Sequence, residues 1–346
     1  MNFCSDNVTP AAPEVMQALI DANSGPSMPY GNDPRTQEAA DMLRAALEAP
    51  AGTAVHLLGT GTAANSLSLG HIAPAYSAVI CHQSAHANVN ECGGPEFYSG
   101  GAKLLGLPGP GGKLDAEAVA RVIAQFADGD PHHSPPRALT LTNATEYGAV
   151  YTPDEVAALA RVARAGGLRV HMDGARFANA LAALNCAPAD LTWRAGVDIL
   201  SFGATKNGCF AAEAVVIFDP AAARDFEFRI KRAGHVWSKS RFVAAQLKGY
   251  LADGNWLRYA GHANAMAARL ADGLQGADGC ALIEPQVTNQ LFVRMAPAVR
   301  RRLRDAGYSF YDLPGAGADV IRLVTAHDTR VEDVDGFART ARQAAA

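Results

Sequence analysis

The chain has 346 residues, of which 49% are hydrophobic and 18% are charged, and this balance excludes a disordered protein. Its formal net charge of −4 offers no basic field to a nucleic acid, and no run approaches the roughly 18 apolar residues of a membrane helix. Six cysteines without a Cys-x-x-Cys pair, and an N-terminus without a signal-peptide pattern, predict a cytoplasmic protein with neither a nucleic-acid nor a membrane partner.

Helices and strands alternate through the first part of the chain. The predicted strands are 53–58, 78–81, 137–142, 168–172 and 197–202. The predicted helices are 37–47, one that follows the N-cap Asp115, and one that runs from a capping box at Thr152 to the glycines 166–167. This alternation predicts an α/β fold with a mainly parallel central sheet and helices on both faces.

The pattern changes near Arg241. The elements predicted beyond this point are long helices up to residue 274, a helix at 298–306, and strands at 281–284, 290–294 and 319–324. We therefore predict three parts, which are an N-terminal arm (1–25), a large domain (26–240) and a smaller C-terminal α+β domain (241–346).

Asp173 and Lys206 each follow a predicted strand, about one βαβ crossover apart. Open α/β sheets bind ligands beyond the carboxyl ends of their strands, so we expect the two side chains at one site. A lysine that bonds to an aldehyde needs a neutral amine, and an acid beneath a pyridine ring keeps the ring nitrogen protonated. Alone, each residue would be interpreted as a helix cap or a surface lysine, but together they indicate a pyridoxal phosphate (PLP) site.

Residues 59–65 (GTGTAAN) follow a strand and open a helix, where backbone N–H groups can bind a phosphate. The segment also fits G-x-G-x-x-A, a dinucleotide fingerprint, but the ribose-binding acid expected about 20 residues later is absent. A plain tight turn is a further alternative. Thr205, directly before Lys206, either adds a hydroxyl to the phosphate site or is a β-branched residue at a strand end.

The ten histidines do not predict a metal site. His132 and His133 lie in a turn-rich loop, and neither has a partner at the helical spacing i, i+4. We therefore expect no metal in this protein.

Six motifs, in order along the chain, resemble the low-specificity threonine aldolases, which belong with the β-eliminating lyases to the fold-type-I group of PLP enzymes. The motifs are 3–7 (FCSDN), 30–34 (YGNDP), 60–65 (TGTAAN), 85–94 (AHANVNECGG), Asp173 with Arg176, and 322–325 (RLVT). The resemblance covers nearly the whole chain. It implies a fold-type-I, PLP-dependent transferase-like fold, PLP as the cofactor, and a homodimer or homotetramer with shared active sites.

The same resemblance assigns residues to the cofactor in addition to Asp173 and Lys206. They are Gly61 and Thr62 at the phosphate, His86 stacked on the pyridine ring, and Arg176 near the phenolic oxygen. A basic cluster, which consists of Arg229, Lys231 and Arg232, would reach the phosphate of a neighbouring subunit. A solvated helix surface is the other interpretation of that cluster.

Four residues are assigned to the substrate, namely Ser5, Tyr30, Arg176 and Arg322. Arg322 lies inside an apolar strand, where a charge is costly unless it faces a site or solvent. The resemblance makes it the arginine that binds the substrate carboxylate, with the Ser5 hydroxyl assisting. An edge-strand arginine that points into water is the alternative.

The implied activity is retro-aldol cleavage of L-β-hydroxy-α-amino acids, such as threonine, allo-threonine and phenylserine, to glycine and an aldehyde. This reaction needs a base within reach of the β-hydroxyl. Many relatives carry a histidine in the segment that matches 143–148 (NATEYG), where this chain has Glu146. The base could be His86, Glu146 or an ordered water. The alternative functions are β-elimination or transamination on the same scaffold, or a noncatalytic protein of this fold.

Overall fold

In the computed structural model, which describes residues 1–126, 129–313 and 317–343, seven strands form one mixed sheet. They are β1 (Ala54–Leu58), β2 (Ala78–His82), β3 (Lys103–Leu107), β4 (Pro136–Thr142), β5 (Arg169–Gly174), β6 (Ile199–Gly203) and β7 (Glu213–Ile217). Their order is β1-β7-β6-β5-β4-β2-β3. Strand β7 is antiparallel to both of its neighbours, and the pairs from β6 to β3 are parallel. The predicted mainly parallel sheet is confirmed.

Helices connect these strands and continue beyond them. They are α1 (Pro13–Ala22), α2 (Pro34–Ala46), α3 (Gly61–Ile72), α4 (His86–Val89), α5 (Gly94–Ser99), α6 (Ala116–Gln125), α7 (Pro153–Ala165), α8 (Phe177–Leu184), α9 (Phe226–Arg232), α10 (Arg241–Leu251) and α11 (Asn255–Leu274). Helix α3 is buried over eight consecutive residues, 63–70. Its N-terminus is thereby held against the sheet, at the edge where the parallel strands end.

The helix starts that the sequence predicted from capping residues are confirmed. The Asp115 side chain accepts a hydrogen bond from the Ala118 N–H at 2.8 Å, and α6 follows it. Helix α7 begins at the reciprocal capping box of Thr152 and Glu155. These bonds satisfy N–H groups that would otherwise lack acceptors at the helix start.

Two strands of the large sheet were not predicted. Strand β3 has an exposed lysine and a glycine among its five residues, so it lacks the alternation typical of a half-buried strand. Strand β7 begins with the charged residue Glu213, although all five of its residues are buried. Both strands depend on pairing with neighbours that are distant in sequence.

Four antiparallel strands form a second, smaller sheet in the order β10-β11-β9-β8. They are β8 (Cys280–Leu282), β9 (Gln290–Met295), β10 (Tyr311–Asp312) and β11 (Val320–Val324), accompanied by α12 (Pro297–Asp305) and α13 (Val331–Gln343). The start of the chain joins this sheet, because the Phe3 N–H donates to Ser309 O at 2.8 Å and Phe3 O accepts from the Val324 N–H at 2.9 Å. Within the described ranges, no helix is both long and apolar enough to cross a bilayer.

Apolar side chains pack in two main cores. The first extends from Ala12 to Ala260 in sequence, and the second combines Phe3 with residues from Met266 to Ala341. The change from one core to the other therefore falls inside α11. The domain limits 1–25, 26–240 and 241–346 stay a prediction from the sequence. Helix α10, which belongs to the predicted C-terminal domain, contributes Val243 and Leu247 to the first core.

Candidate active site

A cavity of about 320 Å³ opens at the edge of the large sheet where β4, β5 and β6 end and α3 begins. Its volume falls within the range of about 300–1,000 Å³ that is typical of small-molecule sites. Eight residues predicted from the sequence line it, namely Gly61, Thr62, His86, Glu146, Asp173, Arg176, Thr205 and Lys206. The fold therefore brings these side chains together from five separate segments of the chain.

Asp173 and Lys206 are placed by neighbouring parallel strands. Asp173 lies on β5, and Lys206 follows β6 in a short 3-10 helix. The Asp173 side chain is buried and accepts hydrogen bonds from Asn65 Nδ2 at 2.8 Å and from the Ala175 N–H at 2.9 Å. Two protein donors therefore fix the orientation of this carboxylate.

The pKa of the Lys206 amine is lowered from its ordinary value. Burial is the main cause, because it penalises the ammonium form, and the nearby Arg176 guanidinium adds repulsion. The carboxylates of Asp6, Asp173 and Glu213 act in the opposite direction. The net effect favours the neutral amine that a bond to an aldehyde requires.

The start of α3 offers backbone donors to the cavity. The N–H groups of Gly61 and Thr62 occupy the first helical positions, which have no intrahelical acceptor. A Cβ added at Gly61 would meet no atom of the described residues within 4 Å, so the space beside this position is open. At Gly59, in contrast, an added Cβ would lie 2.3 Å from the Trp237 ring, so a side chain there would displace that ring. The Thr205 hydroxyl, on the other side, exchanges hydrogen bonds with the backbone of Ala212.

Arg176 forms a two-point ion pair with Asp6, a residue of the N-terminal arm. Its Nε and Nη2 atoms donate to the two carboxylate oxygens at 2.7 and 2.9 Å. Burial by itself raises the pKa of Asp6, but the Arg176 and Lys206 charges outweigh it, and the pKa is lowered overall. The Asn289 side chain donates to Asp6 as well, at 3.1 Å. The arm is thereby tied to the cavity wall.

His86, at the start of α4, is held at two points. Its Nδ1 lies 2.8 Å from Glu91 Oε1, and its backbone N–H donates to Glu146 Oε1 at 2.9 Å. Burial raises the pKa of Glu146, and the Asp173 charge contributes in the same direction, while hydrogen bonds from backbone N–H groups oppose the rise. Glu146 Oε2 is buried without a hydrogen-bond partner among the described residues. A proton-accepting atom therefore lies in the cavity wall.

Six predicted residues lie outside the cavity lining of their own chain, namely Ser5, Tyr30, Arg229, Lys231, Arg232 and Arg322. Arg322 donates to Cys4 O at 3.2 Å, and its pKa is lowered by burial and by the charge of Arg176. Ser5 caps a short 3-10 helix, Asp6–Val8. Tyr30 is half exposed, and Lys231 Nζ lies 5.2 Å from the centre of its ring. Arg232 is exposed at the end of α9, next to Lys231.

Four residues that line the cavity or bond to its wall received no role from the sequence, namely Asp6, Asn65, Glu91 and Glu213. Three of them belong to recognised motifs, and their contacts appear only in the folded chain. Glu213 could have been found from the sequence, because it is a charged residue next to an apolar run. The same feature drew attention to Arg322. Burial raises the pKa of Glu213 to about 7, and hydrogen bonds from Thr205 and the Lys206 charge limit the rise.

Comparisons with known proteins identify the family of this chain. Residues 2–298 match the sequence model of the beta-eliminating lyase family. The chain is 42% identical over 327 residues to a low specificity L-threonine aldolase of Pseudomonas sp. (strain NCIMB 10558), an alignment that covers 94% of this chain and 93% of that protein. A Saccharomyces cerevisiae protein of the same description is 25% identical, with 85% of this chain and 74% of the relative covered.

Solved structures extend the comparison to the fold. A threonine aldolase of Leishmania major superposes with a TM-score of 0.93 at 26% identity, covering 100% of this chain and 99% of that chain. The Oryza sativa structure described as TDC with PLP and tryptamine has a TM-score of 0.78 at 16% identity, covering 99% and 82%, and shares the fold. The predicted fold-type-I architecture is thereby confirmed, as is the resemblance drawn from the six motifs. The chain belongs to the beta-eliminating lyase family.

Proposed function

We propose that this protein is a PLP-dependent aldehyde-lyase that cleaves L-β-hydroxy-α-amino acids, including threonine, allo-threonine and phenylserine, to glycine and an aldehyde. The observation that carries the proposal is that Asp173 and Lys206 line one cavity in a chain 42% identical to a low specificity L-threonine aldolase over nearly its full length. Membership of the family alone is compatible with several reactions at such a site.

The residues of the cavity fit PLP. The positive end of α3, with free N–H groups and open space at Gly61, suits the phosphate. The oriented carboxylate of Asp173 suits the ring nitrogen, and Lys206 suits the aldehyde. When bound, PLP supplies the electron sink that takes up the charge left at Cα as the Cα–Cβ bond breaks.

The side chains around this position have separate tasks in the proposal. Lys206 provides a neutral amine for covalent attachment, and Asp173 keeps a proton on the ring nitrogen. Arg176, already held by Asp6, keeps a fixed positive charge in the cavity wall. Arg322 and Ser5, which lie beside Asp6 and Cys4, are the candidates for binding the substrate carboxylate.

The β-hydroxyl proton needs an acceptor in the cavity. Two protein atoms are suited to accept it, namely His86 Nε2 and Glu146 Oε2. Glu146 Oε2 has no hydrogen-bond partner within the described parts of the chain and belongs to a carboxyl group of raised pKa, which makes it a stronger base than an ordinary glutamate. An ordered water held by either side chain is the third acceptor.

The proposal includes a homodimer or homotetramer with shared active sites. The exposed end of α9, with Lys231 and Arg232, does not line the cavity of its own chain and is available to a neighbouring one. Tyr30 is exposed beside Lys231 and would accompany it. Light scattering of the purified protein measures the mass of the assembly. A monomer that binds PLP and cleaves substrate at full rate would contradict sharing.

A product assay tests the activity. The protein is incubated with threonine, phenylserine and cysteine, and separately with threonine and a keto acid. We expect aldehyde and glycine in equal amounts from the two hydroxy amino acids alone. Pyruvate from cysteine, or an exchanged amino group, would assign the protein to β-elimination or transamination instead.

The cofactor bond is tested by absorbance. Wild-type protein reconstituted with PLP is expected to show a visible band that Lys206→Ala loses, because the alanine has no amine to attach. Absence of the band from freshly reconstituted wild type would contradict the enzymatic interpretations. It would support the alternative that this is a noncatalytic protein of this fold.

A further inference from the structure

Three hydrogen bonds form a continuous chain of side chains from Asp173 to His86. Asn65 Nδ2 donates to Asp173 Oδ2 at 2.8 Å and to Glu91 Oε1 at 2.9 Å. Glu91 Oε1 in turn lies 2.8 Å from His86 Nδ1. The chain thus links the acid assigned to the ring nitrogen with one of the two candidate bases.

The orientation of the Asn65 amide follows from its neighbours. Its nitrogen carries two hydrogens, and each meets one carboxylate oxygen. The reverse orientation would direct the amide oxygen at two carboxylates, with no hydrogen between them. Asn65 Oδ1 has no hydrogen-bond partner among the described residues, so nothing favours the reverse orientation.

This orientation decides which ring nitrogen of His86 carries the proton. An ionised Glu91 carries no proton, so its Oε1 accepts hydrogen bonds from both Asn65 and His86 Nδ1. Nδ1 must therefore donate, and a neutral imidazole with its proton on Nδ1 has its lone pair on Nε2. Glu91 acts on His86 as the buried carboxylate of a hydrolase triad acts on its histidine, fixing both the tautomer and the ring position.

Burial supports a role in function. The Glu91 side chain is fully buried, whereas the His86 side chain is 42% exposed. Glu91 Oε2 has no hydrogen-bond partner among the described residues, which is costly for a buried carboxyl group. Replacing a buried ionic group by well-packed apolar side chains is often neutral or stabilising, so packing alone gives little reason for a carboxyl group here.

We propose that Glu91 is a positioning residue that holds the His86 ring with its proton on Nδ1, so that Nε2 accepts the β-hydroxyl proton of the substrate. This inference rests on the proposed aldolase function. It selects His86 over Glu146 as the group that takes the proton. When His86 becomes charged, the Glu91 carboxylate stabilises it.

The test compares Glu91→Gln and Glu91→Leu with wild type in two reactions of the PLP-loaded protein. The first is phenylserine cleavage, which needs the β-hydroxyl base. The second is exchange of the α-hydrogen of glycine with deuterated water, which reverses the last step of the cleavage and involves no β-hydroxyl. The matched control is Glu155→Gln, because Glu155 lies in the capping box of α7 and outside the cavity.

We expect kcat for cleavage to fall about tenfold in Glu91→Gln, which keeps an acceptor but loses the charge, and about 100-fold or more in Glu91→Leu. KM for phenylserine and the glycine exchange rate should stay within about threefold of wild type, because groups at Cα are unaffected. A parallel fall of exchange and cleavage, or unchanged cleavage in Glu91→Gln, would overturn the proposal. Should Glu91→Leu fail to fold, Glu91→Gln alone decides the result.

A spectroscopic measurement tests the tautomer directly. The loaded protein is labelled with 15N-histidine, and the ring signals of His86 are identified by their loss in His86→Gln. We expect the Nδ1–H form in wild type and a mixture of both tautomers in Glu91→Leu. An Nε2–H form in wild type would refute the proposal. Failure of wild type to cleave any hydroxy amino acid would refute the aldolase function separately, because the tautomer result does not depend on turnover.

Discussion

The first apolar core and the cavity at the sheet edge are built on the same strands, yet they bury opposite kinds of side chain. Met172 of β5 and Phe202 of β6 are fully buried in the core, among aliphatic and aromatic neighbours. One residue further along β5, Asp173 is also buried, and its neighbours are charged or polar. Adjacent residues of one strand thus belong to the apolar core and to the candidate active site.

This difference shows where stability is gained and where it is lost. Apolar burial in the core contributes about 25 cal/mol per Å². The cavity region buries the carboxyl groups of Asp6, Glu91, Asp173 and Glu213, and polar atoms of Asn65, Glu91 and Glu146 lack partners among the described residues. Such groups reduce stability unless they are fully paired. Substitutions test this contrast through the free energy of unfolding, measured by chemical denaturation of purified protein.

Phe202→Ala should have the largest effect. Its ring is fully buried and packs with Phe177, Tyr250 and Trp256 at centroid distances of 5.8 to 6.3 Å. Truncation removes this burial and leaves a cavity, so we expect a loss of about 3–5 kcal/mol. A loss below about 1 kcal/mol would show that the core collapses around the gap. It would contradict the claim that apolar burial in this core is a main source of stability.

Asp6→Ala should cost about 3 kcal/mol. The change leaves the Arg176 guanidinium, 11% exposed, without its two-point partner, and an unpaired buried charge is strongly unfavourable. Asp6→Asn keeps one acceptor and should recover part of the loss. Equal stability of wild type and Asp6→Ala would mean that solvent reaches Arg176 freely.

Glu213→Gln should change how stability depends on pH. The folded-state pKa of Glu213 is about 7, above the ordinary value of 4.5, so the folded chain retains a proton that the unfolded chain releases. This contribution is complete below pH 4.5 and is lost as the pH rises through 7. Relative to the glutamine variant, wild type should therefore lose on the order of 3 kcal/mol across this window. Parallel curves for the two proteins would contradict the raised pKa.

Arg269→Ala should have the smallest effect and serves as the control for Asp6→Ala. Arg269 makes the same kind of two-point pair, with Asp335 at 2.7 and 2.9 Å, but on the surface between α11 and α13. Solvent screens such pairs, so we expect a change of about 0–1 kcal/mol. A loss equal to that of Asp6→Ala would show that geometry matters more than burial.

Much of the local structure could be predicted from the sequence because its causes are local. Asp115 and Thr152 mark helix starts because their side chains accept hydrogen bonds from N–H groups three residues later. Runs of apolar residues predicted most of the strands. Strand β7 escaped prediction because it begins with a charge, and the pairing that stabilises it comes from β1 and β6. Pairing with strands that are distant in sequence gives a short segment no recognisable sequence pattern of its own.

The candidate site divides in the same way. The sequence by itself determined the reactive residue types, since Asp173, Lys206 and His86 stand in motifs with fixed order and local context. Only the tertiary structure decided their partners. Asp6 meets Arg176 across 170 positions, and Asn65 meets Asp173 across 108. Hydrogen bonds and charge effects act over a few ångströms, so they depend on which segments the sheet brings together.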